Sequence, residues 1–202
     1  MVFVLETARL YITPSNPWSL RHCAFFLELW NCSSWLEWIG DRNIKTGEVV
    51  RDIMLHQHIP HYHRHGFGYY VVSLKSGLSS SPYGARPVGV VSLLVRDGHT
   101  VPDVGFAFLD ETHGMGYATE AARALVAYAA EHCGVSRVIG MTAPDNEGCL
   151  RTLRKLGLHV LGVYTLAAWP ESPKAVLAPA DVYDIADCGV VLVDDTLVTS
   201  AI

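Results

Sequence analysis

The chain has 202 residues, half of them hydrophobic and only 17% charged, which suits one domain spanning 1–202 with a full core and excludes general disorder. Its net charge is −5 with no block of Lys and Arg, so no nucleic-acid partner is expected, and the acidic balance leans toward cationic acceptors such as amines. Cys23, Cys32, Cys133, Cys149 and Cys188 are odd in number and widely spaced, with no zinc or disulfide framework. The opening Met1-Val2-Phe3-Val4-Leu5-Glu6 lacks the basic start of a signal peptide, and no apolar run approaches a membrane span. A soluble, cytoplasmic protein with no membrane partner is the expectation.

Taken in order, residues 3–13 alternate as a first strand around Thr7-Ala8-Arg9-Leu10-Tyr11-Ile12. Pro14 and Pro17 end it, and Ser15 or Asn16 caps a helix from near Pro17 that carries Leu20, Cys23, Ala24 and Leu27 on one side. The aromatic group Trp30, Trp35 and Trp38 reads as core packing. Thr46 opens a second helix that runs toward His58 and stops before Pro60, because an interior proline has no N–H and crowds the preceding turn. His56, His58, His61, His63 and His65 could bind a transition metal, but no Cys or acidic partner stands at a ligand spacing, so no metal site is expected there. Residues 66–74 read as a strand, 75–86 as a Ser/Gly-rich loop and 87–95 as a strand. Arg96-Asp97-Gly98-His99 then turns the chain into a strand over residues 103–109.

That strand, Val104-Gly105-Phe106-Ala107-Phe108-Leu109, is a continuous apolar run of the kind a doubly covered strand shows. Asp110 and Glu111 break it, and Thr112 is a candidate N-cap. Gly114-Met115-Gly116-Tyr117-Ala118-Thr119-Glu120-Ala121 opens a helix whose Ala118, Ala121, Ala122, Leu125, Val126 and Ala129 share a face, with Gly134 at its end. The first N–H groups of a helix have no intrahelical partner, and two glycines without Cβ atoms let an anion approach them. A pyrophosphate is the natural guest, and a tight strand-to-helix turn is the plain alternative. Farther on, residues 137–142 form a short strand, and Pro144-Asp145-Asn146 caps a helix with Leu150, Leu153 and Leu156 inward and Gly157 as its stop. Residues 160–166 read as a late strand, 165–182 as an irregular proline-rich loop, and 182–193 as the last strand.

The run Gly105-Phe106-Ala107-Phe108-Leu109 followed by Gly114-Met115-Gly116-Tyr117-Ala118-Thr119-Glu120-Ala121 resembles the acyl-coenzyme A motif of the GNAT acetyltransferase superfamily. The branch that acetylates ribosomal-protein N-termini is the most similar, through Glu6-Thr7-Ala8-Arg9-Leu10, Ile39-Gly40-Asp41-Arg42, and the pair Asn146-Glu147-Gly148-Cys149 and Lys155-Leu156-Gly157-Leu158. The family writes Arg or Gln where Glu111 stands, Ser for Cys149 and Phe for Leu158. The resemblance covers most of residues 6–166 and implies an α+β fold: a central, mostly antiparallel mixed sheet with a splayed strand pair and helices on both faces.

It implies acetyl-CoA as the acyl donor and an amine, small-molecule or peptide N-terminus, as the acceptor, in a protein that often forms homodimers. The resemblance assigns the pyrophosphate to the amides of Gly114, Met115, Gly116, Tyr117, Ala118 and Thr119. It assigns the pantetheine arm to backbone near Phe106, Phe108 and Leu109 and to Asn146 and Cys149, with Lys155 or Arg151 facing a phosphate. Asp103 is the candidate base, with a strand-start acid as the structural alternative and His99 and His113 in reserve. Leu153 stands where some relatives carry a Tyr general acid. An acyl-CoA binder that has lost transfer, and a repurposed fold with other pocket chemistry, are the rival readings.

Overall fold

The computed structural model describes residues 4–75, 81–96, 99–188 and 190–199, the last six of these by backbone alone. Asp97 and Gly98 of the expected hairpin turn, residues 76–80 of the Ser/Gly-rich loop, and the side chains of residues 194–199 lie outside the described residues. Two compact units emerge: residues 1–92 with 106–125, and residues 93–105 with 126–202.

The first unit begins with β1 (Leu5–Glu6), β2 (Leu10–Pro14), α1 (Leu20–Leu29) and α2 (Ser33–Trp38). The expected first strand is therefore two, interrupted at residues 7–9. The cap of α1 is Ser19, whose hydroxyl accepts from His22 N at 3.3 Å, and neither Ser15 nor Asn16. Ser15 is buried instead, with its Oγ 3.0 Å from His58 Nδ1.

Thr46 caps α3 (Gly47–Ile53), as the sequence predicts. The helix then does not stop before Pro60. It widens into a π-helical turn (Met54–His58) and continues as α4 (Ile59–His65), with Gly66 as its left-handed cap. In the wider turn Ile59 N donates to Met54 O, five residues back, so the proline ring that follows is accommodated without breaking the rod. Cys23, Phe25, Phe26, Leu29 and Trp30 of the α1 region pack with Val50 and Met54 and with Val71 and Val90 to form this unit's core.

Strands β3 (Tyr69–Leu74), β4 (Arg86–Leu94) and β5 (Asp103–Phe108) complete a five-stranded sheet in the order β1-β2-β3-β4-β5. Antiparallel register pairs Ile12 with Val72 and Val71 with Val90. After β5 come a 3-10 turn (Asp110–Thr112) and α5 (Tyr117–His132), which buries Ala121, Ala122, Leu125 and Ala129.

In the second unit, β6 (Gly140–Thr142), α6 (Glu147–Lys155), β7 (Leu158–Leu166), β8 (Trp169–Pro179) and β9 (Leu192–Thr199) form a helix and an antiparallel sheet ordered β6-β8-β7-β9. The expected irregular loop over 165–182 is thus corrected: residues 169–179 are a strand paired with β7, and with β6 through Ala175, Val176 and Leu177. The prolines are tolerated because the register slips between Tyr164, opposite Lys174, and Leu166, opposite Trp169. Pro170 and Pro173 fall within that bulged stretch, where no regular ladder needs their missing N–H groups. The last strand starts at Leu192 and not at Val182; residues Ile185–Cys188 form a 3-10 turn ahead of it.

A single parallel bridge, Asp103 with Ile139, joins the start of β5 to the approach of β6, through Val104 N to Ile139 O at 2.9 Å and Ile139 N to Pro102 O at 3.1 Å. Past it, β5 belongs to the five-stranded sheet and β6 to the four-stranded one. No helix among the described residues is long and apolar enough to cross a membrane.

Candidate active site

The turn between β5 and α5 is built from several local constraints. Asp110 accepts from Ser33 N at 3.1 Å and Ser34 N at 3.2 Å, capping the start of α2. The Ser34 hydroxyl and these amides hold its carboxyl below the usual range. Thr112 does not cap α5. Its hydroxyl donates back to Leu109 O at 2.7 Å within the 3-10 turn, and the helix starts only after Gly114 and Gly116 have turned the chain at φ 74° and 79°. Gly116 takes the cap position, since its carbonyl accepts the first intrahelical bond, from Glu120 N at 3.1 Å.

Two positive-φ glycines flanking Met115 leave residues 113–116 on the surface, at the positive end of a 16-residue helix. Side chains are disfavoured at both φ values, and nothing stands within 4 Å of a Cβ built on Gly114. The turn therefore has the room and the amides that an anion requires. Tyr117, Ala118 and Thr119 form the first turn of α5, half-buried.

One side chain that the sequence reading left without a role meets this turn. Arg9 donates from Nη1 to Met115 O at 3.0 Å and from Nε to Glu120 Oε2 at 2.7 Å, and its guanidinium lies 4.6 Å from the Tyr117 ring centre. Glu120 also accepts from Thr7 Oγ1 at 2.5 Å and Arg9 N at 3.0 Å. Burial pushes the Glu120 carboxyl up, but these hydrogen bonds and the Arg9 charge outweigh it and leave it below its ordinary value. The only signal in the sequence was the Glu6–Leu10 motif. Glu111, the departure from the Arg or Gln of the family motif, pairs with Arg86 at 2.6 Å.

Of the backbone positions expected to meet a pantetheine arm, Leu109 is already committed: its N–H donates to Val88 O at 2.9 Å, and its carbonyl accepts from Thr112. His113 Nε2 donates to Phe108 O at 2.9 Å, which ties that reserve imidazole to the backbone. Phe106 is half-buried and Phe108 buried on β5.

In the second unit Asn146 caps α6, and its Oδ1 accepts from Cys149 N at 2.9 Å. The amide NH2 of Asn146 is then the end turned to other uses. Burial pushes the Cys149 thiol up to about 11, against the opposing hydrogen bond with Thr142, so it is protonated at neutral pH. Lys155 is exposed at the end of α6, while Arg151 faces Glu147 at 3.7 Å. Leu153 is buried, and a Cβ on Gly140 would stand 2.6 Å from its Cδ2, so the leucine fills this space with hydrocarbon.

Asp103 is buried at the start of β5 against Arg96, with Nη2 donating to Oδ2 at 3.0 Å and Nε 2.7 Å from Oδ1. The second contact is close but not an aligned hydrogen bond, so Oδ1 is left without a hydrogen-bond partner. Burial raises the Asp103 pKa despite the lowering pull of Arg96 and His99. Arg96 in turn stacks 4.5 Å from the Trp169 ring centre. His99 is buried too, and desolvation keeps its pKa low.

The other histidines are dispersed. His58 stacks on Tyr69 at 3.8 Å, and burial lowers its pKa to about 3, while His56 and His61 bond to Asp52 O and Phe67 O. Among the described residues no group of three His, Cys, Asp or Glu is placed to hold a metal ion.

The fold is shared with known structures. A GNAT-family acetyltransferase from Bacillus anthracis superposes with a TM-score of 0.67 at 20% identity, over 87% of this chain and 97% of that one. RimL, a ribosomal-protein alpha-N-acetyltransferase solved with coenzyme A, superposes with a TM-score of 0.71 at 14% identity, over 90% and 100%. A probable N-acetyltransferase of Bacillus subtilis, YjcK, is 37% identical over 81 residues, 39% of this chain and 44% of that protein. This chain thus spans less than half the length of that curated relative. The family model for the GNAT acetyltransferase domain matches residues 15–159. These strands, this turn and that match make the chain a member of the GNAT acetyltransferase family.

Proposed function

We propose that the protein is an acetyl-CoA-dependent N-acetyltransferase that moves an acetyl group to a primary amine by direct transfer. The observation that carries the reading is the β5–α5 turn, where Gly114 and Gly116 at positive φ present backbone amides at a helix start. The amides of residues 114–119 would hold the donor's pyrophosphate. The amine nitrogen attacks the thioester carbonyl, the carbon–sulfur bond breaks, and the thiolate of CoA leaves. A thiol with an ordinary pKa of about 8.5 is a good leaving group, so the chemistry does not require a proton donor at Leu153. Cys149, half-buried with its thiol pushed up to about 11, is a poor nucleophile at neutral pH, which favours direct transfer over an acyl-enzyme.

The amine must lose a proton before or during attack. Asp103 is the proposed acceptor, through water: burial raises its basicity, Arg96 fixes its plane, and Oδ1 lacks a hydrogen-bond partner.

Thermal unfolding with acetyl-CoA, CoA or NAD tests the reading. Binding at a hundred times Kd stabilises the fold by about 2.7 kcal/mol, and the expected outcome is a rise in Tm with both CoA species and none with NAD. No shift with either CoA species would overturn it. Binding without transfer to any amine of a broad panel would favour the acyl-CoA binder, a reading motivated by Leu153 in place of a Tyr acid.

A further inference from the structure

The β5–α5 turn is not self-supporting. Its central carbonyl, Met115 O, accepts from a side chain more than a hundred residues earlier, Arg9 Nη1 at 3.0 Å. Met115 C=O and Gly116 N–H belong to one peptide, and no peptide among the described residues is cis, so the two point in opposite directions. Pulling the carbonyl toward Arg9 therefore turns the Gly116 N–H the other way.

Arg9 is itself held in place. Nε binds Glu120 Oε2, the backbone N of Arg9 and the Thr7 hydroxyl both bind Glu120 Oε1, and the guanidinium covers the Tyr117 ring. Glu120 lies in the first turn of the same α5 helix. Two residues of the N-terminal segment, Thr7 and Arg9, and two of α5, Tyr117 and Glu120, thus close a clamp around the turn. Nη2 makes no hydrogen bond among the described residues and stands 3.5 Å from where a Gly116 Cβ would be.

We propose that Arg9 is a positioning residue for phosphate binding: held by Glu120, it fixes the Met115 peptide so that the Gly116 N–H faces the anion. The inference rests on the acetyl-CoA reading and extends it to a side chain outside the turn. A planar fork is needed to engage Glu120 and the Met115 carbonyl together, which a lysine ammonium does not match.

The test compares wild type, Arg9→Met, Arg9→Lys and Glu120→Gln in two measurements. In calorimetric titration with CoA, Arg9→Met is expected to weaken binding about tenfold, the usual worth of a hydrogen bond to a charged group, with Arg9→Lys recovering only part. In ligand-free hydrogen exchange, Arg9→Met and Glu120→Gln should speed exchange at residues 114–118, with the β3 and β4 amides unchanged. A global loss of stability would instead raise exchange throughout. Wild-type CoA affinity in Arg9→Met, or exchange unchanged at the turn, overturns the inference. If wild type itself fails to bind CoA while Arg9→Met still loosens the turn, the acetyl-CoA reading falls and the clamp remains.

Discussion

Arg9–Glu120 and Arg96–Asp103 are both close ion pairs, 2.7 Å at the shortest contact, yet they shift their carboxyl groups in opposite directions. Glu120 is 19% exposed and Arg9 48%, so water still covers part of the pair and hydrogen bonds from Thr7 and Arg9 decide the sign. Asp103 is 5% exposed, and the cost of desolvating its charge exceeds what Arg96 returns. The same two residue types therefore do different work. The wetter pair holds Arg9 against a backbone turn at little cost in stability, and at the drier pair burial keeps a carboxylate basic against the pull of its arginine.

The largest expected effect breaks the turn that the wetter pair supports. Gly116→Trp places an indole at φ 79° in the anion's space and should weaken CoA binding by about a thousandfold. Unchanged affinity in a folded variant would remove the turn from the site. Next, Arg96→Met leaves Asp103 buried without its cation and should cost about 2–4 kcal/mol in urea unfolding at pH 7. Arg9→Met should cost less than about 1 kcal/mol, as half-exposed pairs do. Equal losses would erase the contrast.

The pH dependence sharpens it. Because the folded pKa of Asp103 lies above its unfolded value, the native state binds the extra proton between the two. Asp103 thus favours the fold most below its unfolded pKa, and that stability is lost as pH rises through the folded pKa. The Arg96→Met deficit should accordingly shrink on acidification, because a protonated Asp103 no longer needs a cation. Glu120 has the opposite sign: its stabilisation is present above the unfolded pKa and lost as pH falls through the lowered folded one.

The last of these effects concerns rate. Asp103→Asn should slow transfer by about a hundredfold at neutral pH, with the deficit closing as pH rises toward the amine's own pKa. A parallel pH–rate profile in the two proteins would exclude Asp103 as proton acceptor.

Much of this was legible in residue order because it is local. Gly114, Gly116 and Asn146 act through backbone angles and hydrogen bonds within a few positions, so composition and spacing expose them. Thr112 was misread because the capping pattern cannot tell a 3-10 turn from a helix start when positive-φ glycines follow. The continuation of the helix through Pro60 was hidden because the remedy, a π turn, lies in the preceding residues and carries no mark of its own. The β8 strand was missed because its prolines signal a loop, and only pairing with β7 shows that they occupy a bulge.

The sequence by itself determined the family, the glycine turn that opens α5 and the Asn146 cap of α6, since each depends on short-range sterics and orphan amides. Only the tertiary structure decided which charges meet. Arg9 and Glu120 are 111 positions apart, and nothing local links them. Burial is a property of the packed chain as well, so Asp103 and Glu120, two acids with nearly the same intrinsic pKa, acquire opposite chemistry only when the fold has set how much water each one keeps.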